Sequence, residues 1–396
     1  MTDKFDLCNN ACRAAFDKIV EIAISRHVDF VLIAGDSFDN CEHDLSEKLL
    51  FIRNLEKLAD NGIKSYIICG NHDPVEFYKK YESYFKFNEK YKGLINISGI
   101  TTPDKMTIFN YNDIVNIHAL SFETDECSNP VKYLKTPDSE NIFNIGLIHC
   151  DLDKTESKYA PCSRSELKAL GYDYYALGHI HIPSGDDLVY SGSPQGRTKK
   201  ETGEHGCYYI EADGKNILKK EFIPTDFVRF SSLDLDCSVF LNKKEVFDRI
   251  IEFLGSQTQE VPLMLYEINL AGITNAYEDL DSNLISEYVE NYFEFEPAHT
   301  AVYKINNHTT PEVDEKELTD DKGIIGILIN DTDINEIYDN IANLHHTLYQ
   351  TLGLNTELKN DLVKHLTDYK EDILNQAKNE IKTICKEIFH EDSEHA

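Results

Sequence analysis

The sequence has few basic residues for its length and no long apolar run. It contains 39 Lys and Arg against 70 Asp and Glu in 396 residues, a formal net charge of −31. Because phosphate binding needs Lys and Arg on the surface, this balance argues against a protein that holds nucleic acid by bulk charge. No apolar run approaches the roughly 18–20 residues that a membrane span needs, so we expect no membrane protein.

Paired cysteines and a signal-peptide core are also missing. None of the ten cysteines stands in a CxxC spacing, and the first residues, MTDKFDLCNN, contain no apolar core. Both features are typical of a protein in a reducing compartment, so we expect cytoplasmic localisation. Hydrophobic residues make up 41% and aromatic residues 11%, which is a globular composition.

The acidic residues are concentrated towards the C-terminus. Residues 226–396 have a net charge of −22, whereas residues 1–225 have a net charge of −9. The pattern of helices and strands also changes after Pro224. We therefore predict four regions: a first domain over 1–225, a small α+β domain over 226–306, a linker over 307–331 and a helical region over 332–396.

Apolar runs without alternation predict buried strands in the first domain. Four such runs are Val28–Ala34, Ile63–Cys69, Ile142–His149 and Tyr174–Leu177. Amphipathic helices are predicted over Ala11–Ser25 and Leu45–Asn61, and another is predicted to begin at Ser163, with Glu166 completing a capping box. Strands covered on both faces are typical of α/β sheets, which is the fold class that we predict.

Polar side chains follow these four strands directly. The four stretches read Gly35-Asp36-Ser37-Phe38-Asp39, Gly70-Asn71-His72-Asp73, Ile148-His149 and Gly178-His179-Ile180-His181. Sites of α/β proteins lie at the carboxyl ends of strands, so these side chains are candidates for one site. Asp, Asn and His supply N and O ligands suited to Mn, Fe, Zn or similar divalent ions.

Three of the four stretches have a plainer explanation when they are taken alone, whereas Gly178-His179-Ile180-His181 is a strong, though short, signal. Gly-Asp after a strand is common in turns, and Gly-Asn-His-Asp can be an Asx turn. His149 alone fits a hydrogen-bonded core histidine better than a ligand. The joint occurrence of all four, each after an apolar strand, favours a metal site.

These residues resemble the calcineurin-like metallophosphoesterases, whose motifs include GD, GNH[DE], a lone His and GHxH. More narrowly, they resemble the SbcD and YhaO branch, the nuclease subunits of DNA double-strand-break repair complexes. The stretches VDFVLIAGDSFDN, IICGNHDP, IGLIHCDLD and YYALGHIHIP carry the resemblance, and YSGSPQGRTKKETGEHGCYYIE points to the YhaO type. The resemblance implies an α/β fold, a β-sandwich flanked by helices, followed by a small α+β capping domain and C-terminal helices.

The resemblance also assigns metal ligands. It implies that Asp36 bridges two divalent ions and that the expected metal is Mn²⁺. Asn71, His149 and His179 would complete one site, and His181 would ligate the other ion.

Four more residues receive roles from the resemblance. His72 would be the general acid that protonates the leaving oxygen of a phosphodiester. Asp39 and Asp73 would hold ligand histidines or shape the loops. Arg197 would contact a substrate phosphate or brace the site against a carboxylate.

The family's first motif, Asp-x-His on the first strand, is missing from the sequence. The family layout places it before the helix at Ala11–Ser25, and Asp3 and Asp6 stand in no apolar strand. Either the sequence begins at an internal methionine, or the protein carries one good metal site with reduced or absent nuclease activity. Because losing a central strand would expose sheet edges, we expect the first explanation.

The implied substrate is DNA, and the implied partner is an SbcC-like coiled-coil ATPase; a homodimer is a further option. Two other classes stay open: a phosphoesterase for nucleotides or other small esters, and a non-catalytic scaffold that has lost a metal. The C-terminal helices would dock on a partner or pack against their own domain. With few basic residues after Asp226, we expect weak unaided DNA binding.

Overall fold

In the computed structural model, the described residues are 4–39, 45–80, 89–102, 104–137, 141–185, 187–256, 261–276, 280–293 and 299–310. The chain divides into two compact units. The first consists mainly of the residues up to Ser231, and the second contains Ser232–Gln257 and Glu267–Tyr292. Most of the linker predicted over 307–331, and the helical region predicted over 332–396, lie outside the described residues. The domain boundaries stay predictions.

The first unit contains most of the helices and strands of the described residues. Its helices are α1 (Lys4–Ser25), α2 (Leu45–Asp60), α3 (Val75–Lys80) and α4 (Arg164–Ala169). Its strands are β1 (Phe30–Ala34), β2 (Lys64–Ile68), β3 (Ile95–Ile97), β4 (Met106–Tyr111), β5 (Val115–Leu120), β6 (Phe143–His149), β7 (Tyr174–Gly178), β8 (Leu188–Tyr190), β9 (Gly206–Asp213) and β10 (Asn216–Pro224). They form a parallel sheet β1-β2-β3, a sheet β4-β5-β6-β7-β8 in which only β4 is antiparallel to its neighbour, and the hairpin β9-β10.

The two larger sheets enclose a shared core. Ile68 of β2 and Leu147 of β6 pack in that core. Ile67 points the other way and packs against Leu55 of α2, while Ile148 packs on the outer face of its own sheet. Each of these fully buried side chains contributes about 1.5–3 kcal/mol. Burial on both faces explains the apolar runs without alternation, and the predicted β-sandwich flanked by helices is confirmed.

The N-terminus of α4 has the predicted capping box. The Ser163 hydroxyl accepts a hydrogen bond from the Glu166 N–H at 3.2 Å, and the Glu166 carboxylate accepts one from the Ser163 N–H at 2.8 Å. Two N–H groups that have no partner inside the helix are thus satisfied, which fixes where α4 begins after β6.

The remaining elements are β11 (Val228–Asp236), α5 (Lys243–Ser256), β12 (Leu263–Ile273), α6 (Ser282–Tyr292) and β13 (His299–Thr310), and the three strands form a sheet in the order β11-β12-β13. Burial alternates along β12, which is typical of a sheet with one covered face. This is the α+β arrangement that the sequence predicted. Among the described residues, no helix combines the length and hydrophobicity needed to cross a bilayer.

Candidate metal centre

The four motifs lie at the carboxyl ends of β1, β2, β6 and β7. In one sheet Ala34 of β1 is opposite Ile68 of β2, and in the other His149 of β6 is opposite Gly178 of β7. When neighbouring parallel strands end at the same level, the loops that follow them begin at the same edge of the sheet. The strand register therefore places the motifs of each sheet side by side.

Two motif glycines let the strand ends that carry the site approach each other, Gly178 between the two sheets and Gly70 within one sheet. A Cβ atom at Gly178 would overlap the carbonyl oxygen of Ala34, and one at Gly70 would overlap the carboxylate of Asp36. Any larger residue would push apart the strand ends that carry the site. These glycines of the motifs are therefore required by packing.

Asp36 and His179 have backbone angles that residues other than glycine rarely adopt. Their φ angles are 51° and 101°, in the left-handed region. Such conformations cost roughly 1–3 kcal/mol each and persist where the surroundings hold them, often at functional sites. Both residues are candidate ligands from the sequence.

Asp36, Asn71, His149 and His179 lie together, and we name them the inner ligand group. The Nε2 atom of His149 is 2.9 Å from Asn71 Oδ1 and 3.3 Å from Asp36 Oδ2. The Nδ1 atom of His179 is 3.2 Å from the same Asn71 oxygen. One ligand atom each from Asp36, His149 and His179 lie within 4.8 Å of one another. Four motifs from two sheets thus converge on one point.

The surroundings set the charge state of this group. Burial favours the neutral form of Asp36, but the hydrogen bond and charge of His149 outweigh it and lower the pKa of the carboxyl. Burial also favours neutral His149, but Asp36 raises its pKa. Burial and the neighbouring His149 lower the pKa of His179. His149 Nδ1 lies 2.8 Å from the Ala34 carbonyl oxygen and therefore carries a proton, whereas Nε2, which faces Asp36 and Asn71, carries a second proton only in the charged form.

The inner ligand group fits a divalent cation. It offers two oxygens and two imidazole nitrogens, a donor set typical of Mn, Fe or Zn. When His149 is neutral, its Nε2 lone pair faces the Asp36 and Asn71 oxygens, an arrangement that a cation between them would satisfy. The structure therefore supports a metal site formed by these residues.

Asp73 holds the loops that carry the ligands. Its buried carboxylate accepts hydrogen bonds from the N–H groups of Asp36, Ser37 and Gly70 at 3.0, 2.8 and 2.8 Å, and from the Tyr78 hydroxyl at 3.1 Å. Burial and the charge of Asp36 raise the pKa of Asp73 to about 7. Of the two roles predicted for Asp73, these contacts fit the one in which it shapes the loops.

The other candidate residues form a second cluster, the rim network, which consists of His72, Asp39, Arg197, His181 and Glu201. Nδ1 of His72 lies 3.3 Å from Asp39 Oδ1, and the Arg197 guanidinium donates to the other Asp39 oxygen. Nδ1 of His181 lies 2.8 Å from Glu201 Oε1, outside the inner ligand group. The contact of Arg197 with Asp39 fits the predicted role in which Arg197 braces the site against a carboxylate. The two clusters meet where the His72 N–H donates to Asp36 Oδ1 at 2.9 Å.

Sequence reasoning missed three residues beside the site. Glu201 contacts His181, the buried Asp151 has its Oδ2 atom 3.7 Å from His179 Nε2, and the ring of Tyr159 lies 5.2 Å from that of His179. Asp151 stands two positions after His149 at the same strand end, so its spacing was a usable signal. Glu201 and Tyr159 reach the site through loops and gave no such signal.

Residues 6–183 match the family described as calcineurin-like phosphoesterase. Together with the sandwich fold and the four motifs, this match shows that residues 6–183 form a calcineurin-like phosphoesterase domain, as the resemblance indicated.

Similar curated proteins indicate which branch of the family the chain resembles. The chain is 24% identical over 393 residues to a protein of Bacillus subtilis described as the uncharacterized metallophosphoesterase YhaO, covering 94% of this chain and 89% of the relative. It is 26% identical over 356 residues to the DNA double-strand break repair protein Mre11 of Sulfurisphaera tokodaii, covering 84% and 83%. A second Mre11, from Methanopyrus kandleri, is 25% identical and covers 55% of this chain and 53% of the relative. These similarities confirm the resemblance to the SbcD and YhaO branch.

Proposed function

We propose that this chain is a Mn²⁺-dependent phosphodiesterase that hydrolyses DNA. The observation that carries the proposal is the convergence of the inner ligand group, with His72 bonded to it through Asp36. The relatives described as DNA double-strand break repair proteins support DNA as the substrate. An SbcC-like coiled-coil ATPase is the proposed partner, because a chain with a net charge of −31 needs another source of DNA affinity. A homodimer and a cytoplasmic location are parts of the same proposal.

The inner ligand group would hold one divalent ion. Bound there, the ion would polarise the phosphoryl group and offset the negative charge that develops during hydrolysis. The Ala34 carbonyl holds the proton of neutral His149 on Nδ1, which leaves its Nε2 lone pair for an ion next to the Asp36 carboxylate. We assign His181 to a second ion that shares Asp36.

His72 is the proposed general acid. Its contact with Asp39 through Nδ1 leaves Nε2 to deliver a proton to the leaving oxygen. Arg197 holds Asp39 from the other side, so we assign both residues to positioning His72. The backbone N–H of His72 donates to Asp36, which keeps the acid next to the ligands.

The test compares the wild-type chain with His72→Ala on linear DNA and on bis-p-nitrophenyl phosphate, with Mn²⁺ present. The sugar oxygen of DNA is a much poorer leaving group than p-nitrophenolate, so loss of the acid should affect DNA more. We expect DNA cleavage to fall about 100-fold or more and ester turnover to fall much less. His27→Asn, at an exposed histidine outside the site, is the matched control.

The strongly acidic composition favours a second candidate, a phosphoesterase for small esters, because a small ester needs no basic groove. Turnover of the small ester without DNA cleavage, with and without the ATPase partner, would support this candidate. Turnover of neither substrate would support a non-catalytic scaffold and contradict both proposals.

A further inference from the structure

Glu201 connects parts of the rim network that are far apart in sequence. Its side chain is 13% exposed, and both carboxylate oxygens have partners. Oε1 lies 2.8 Å from His181 Nδ1, and Oε2 accepts the backbone N–H of Arg197 at 2.8 Å. The carboxylate therefore lies between a candidate metal ligand and the loop that carries Arg197.

The contact with Glu201 selects one tautomer of His181. A neutral imidazole carries one N–H and one lone pair, and a carboxylate accepts but does not donate. Nδ1 of His181 is therefore the protonated nitrogen, and Nε2 keeps the lone pair that a ligand needs. A carboxylate behind a histidine is a common way to orient a metal ligand.

The main chain of Glu201 is also fixed. Its carbonyl oxygen lies 3.2 Å from Nε2 of His205, whose side chain is buried. A rigid backbone at this position holds the carboxylate in place, so His181 is oriented by a group that is itself anchored.

The same carboxylate is connected to His72 by three contacts in series. Glu201 holds the main chain of Arg197, the Arg197 guanidinium holds Asp39, and Asp39 lies 3.3 Å from His72. The rim network is thus one connected path from His181 to His72, with Glu201 as its least exposed member.

We propose that Glu201 is a positioning residue that fixes the tautomer and ring of His181 and, through Arg197 and Asp39, the orientation of His72. The assignment of a catalytic purpose rests on the proposed function, whereas the His181 tautomer does not.

The first test is the tautomer of His181 in the metal-free full chain, measured by ¹⁵N NMR of the histidine rings at alkaline pH. His181→Asn identifies the signal. We expect Nδ1–H in the wild type, partial retention in Glu201→Gln and a shift towards Nε2–H in Glu201→Ala. Glu204→Ala, which removes a carboxylate from the same loop, should change nothing. An Nε2–H tautomer in the wild type, or the same tautomer in every variant, would overturn the proposal.

The second test titrates Mn²⁺ alone into the same proteins and follows binding by electron paramagnetic resonance. Glu201→Ala should weaken the weaker Mn²⁺ site about 10- to 100-fold and leave the stronger one unchanged. The Mn²⁺ affinity of Glu201→Gln at the weaker site should lie between those of the wild type and Glu201→Ala. If Glu201→Ala fails to fold, the comparison of Glu201→Gln with the wild type is the test. Equal affinities in all variants would contradict the proposal. If the wild type binds Mn²⁺ and shows the expected tautomer but cleaves no DNA, the proposed function fails and this inference stands.

Discussion

The inner ligand group and the rim network lie next to each other but are built differently. In the inner ligand group, His149 has no exposed side-chain surface and Asp36 is 16% exposed, and their partners include a backbone carbonyl and a backbone N–H. In the rim network, His72 and His181 are 39% and 44% exposed and are held by the side chains of Asp39 and Glu201.

This difference shows which part of the site the fold sets in advance. A buried polar group that loses its partner keeps the whole cost of its desolvation, so contacts in the inner ligand group leave little freedom. Exposed ion pairs are worth about 0–1 kcal/mol, so most of the rim can rearrange at small cost. We infer that the inner ligand group is rigid before any ligand binds, whereas the exposed side chains of the rim network depend on Glu201, its least exposed member, for their orientation.

Asp36→Asn should have the largest effect. The variant keeps the shape of the side chain and removes the charge, so the carboxylate shared by both proposed ions is lost. We expect Mn²⁺ affinity to fall at least about 100-fold and DNA cleavage to disappear. Calorimetric titration of Mn²⁺ and a nuclease assay measure both. Asp213→Asn, at an exposed position of β9, is the control, and wild-type Mn²⁺ binding by Asp36→Asn would show that the inner ligand group is not the metal site.

Asp73→Ala should cause the largest loss of stability. It leaves three backbone N–H groups and the Tyr78 hydroxyl without their buried acceptor. Each unsatisfied buried donor costs about 1–3 kcal/mol, so we expect a total loss of about 3 kcal/mol or more. Thermal unfolding measures it, with Asp213→Asn again as the control. A change in unfolding temperature no larger than that of the control would mean that the loops are held by other contacts.

Strand ends and the motifs after them could be predicted from the sequence, because both depend on short-range patterns. The strand predicted over Val28–Ala34 is observed over Phe30–Ala34, and the motif at Asp36 follows it directly. Apolar runs buried on both faces give a strong local signal. The candidate ligands were found for the same reason.

Other strands were missed because their signal depends on a distant or unusual partner. The connection between β4 and β5 is Asn112-Asp113-Ile114, and its first two residues have φ angles of 50° and 58°, whereas positive φ angles in a hairpin are more typical of Asn-Gly. The strand β10 exposes Lys219 and Lys220 and is defined by its pairing with β9. Glu201 was missed likewise, because its contact with His181 is made through space.

Arg197→Ala should have an intermediate effect, confined to the rim network. Without the guanidinium, Asp39 loses one of the groups that hold it next to His72, so proton delivery to the leaving oxygen becomes less frequent. We expect kcat on DNA to fall about 10- to 100-fold while Mn²⁺ affinity at the stronger site stays unchanged. Steady-state kinetics and Mn²⁺ titration measure the two quantities. Arg53→Ala, on the exposed face of α2, is the control. A matching loss of Mn²⁺ affinity would mean that the two clusters are not separate.

An exposed pair outside the site should show the smallest effect. The Arg26 guanidinium donates to both carboxylate oxygens of Glu221, at 2.6 and 3.2 Å. Arg26 and then Lys219 lower the pKa of Glu221 to about 2. Because this pKa lies below that of the unfolded chain, about 4.3, the contribution of the pair to stability is present above pH 4.3 and is lost as the pH falls towards 2.

Glu221→Gln tests how little an exposed pair contributes. At pH 6 we expect the variant to unfold about 1–2 °C below the wild type, and the difference should shrink as the pH is lowered from 5 to 3. Thermal unfolding across this pH range measures it, with Glu211→Gln on the neighbouring strand β9 as the control. A difference at pH 6 as large as that of Asp73→Ala would remove the distinction between buried and exposed contacts, because an exposed pair would then stabilise the fold as much as a buried carboxylate does.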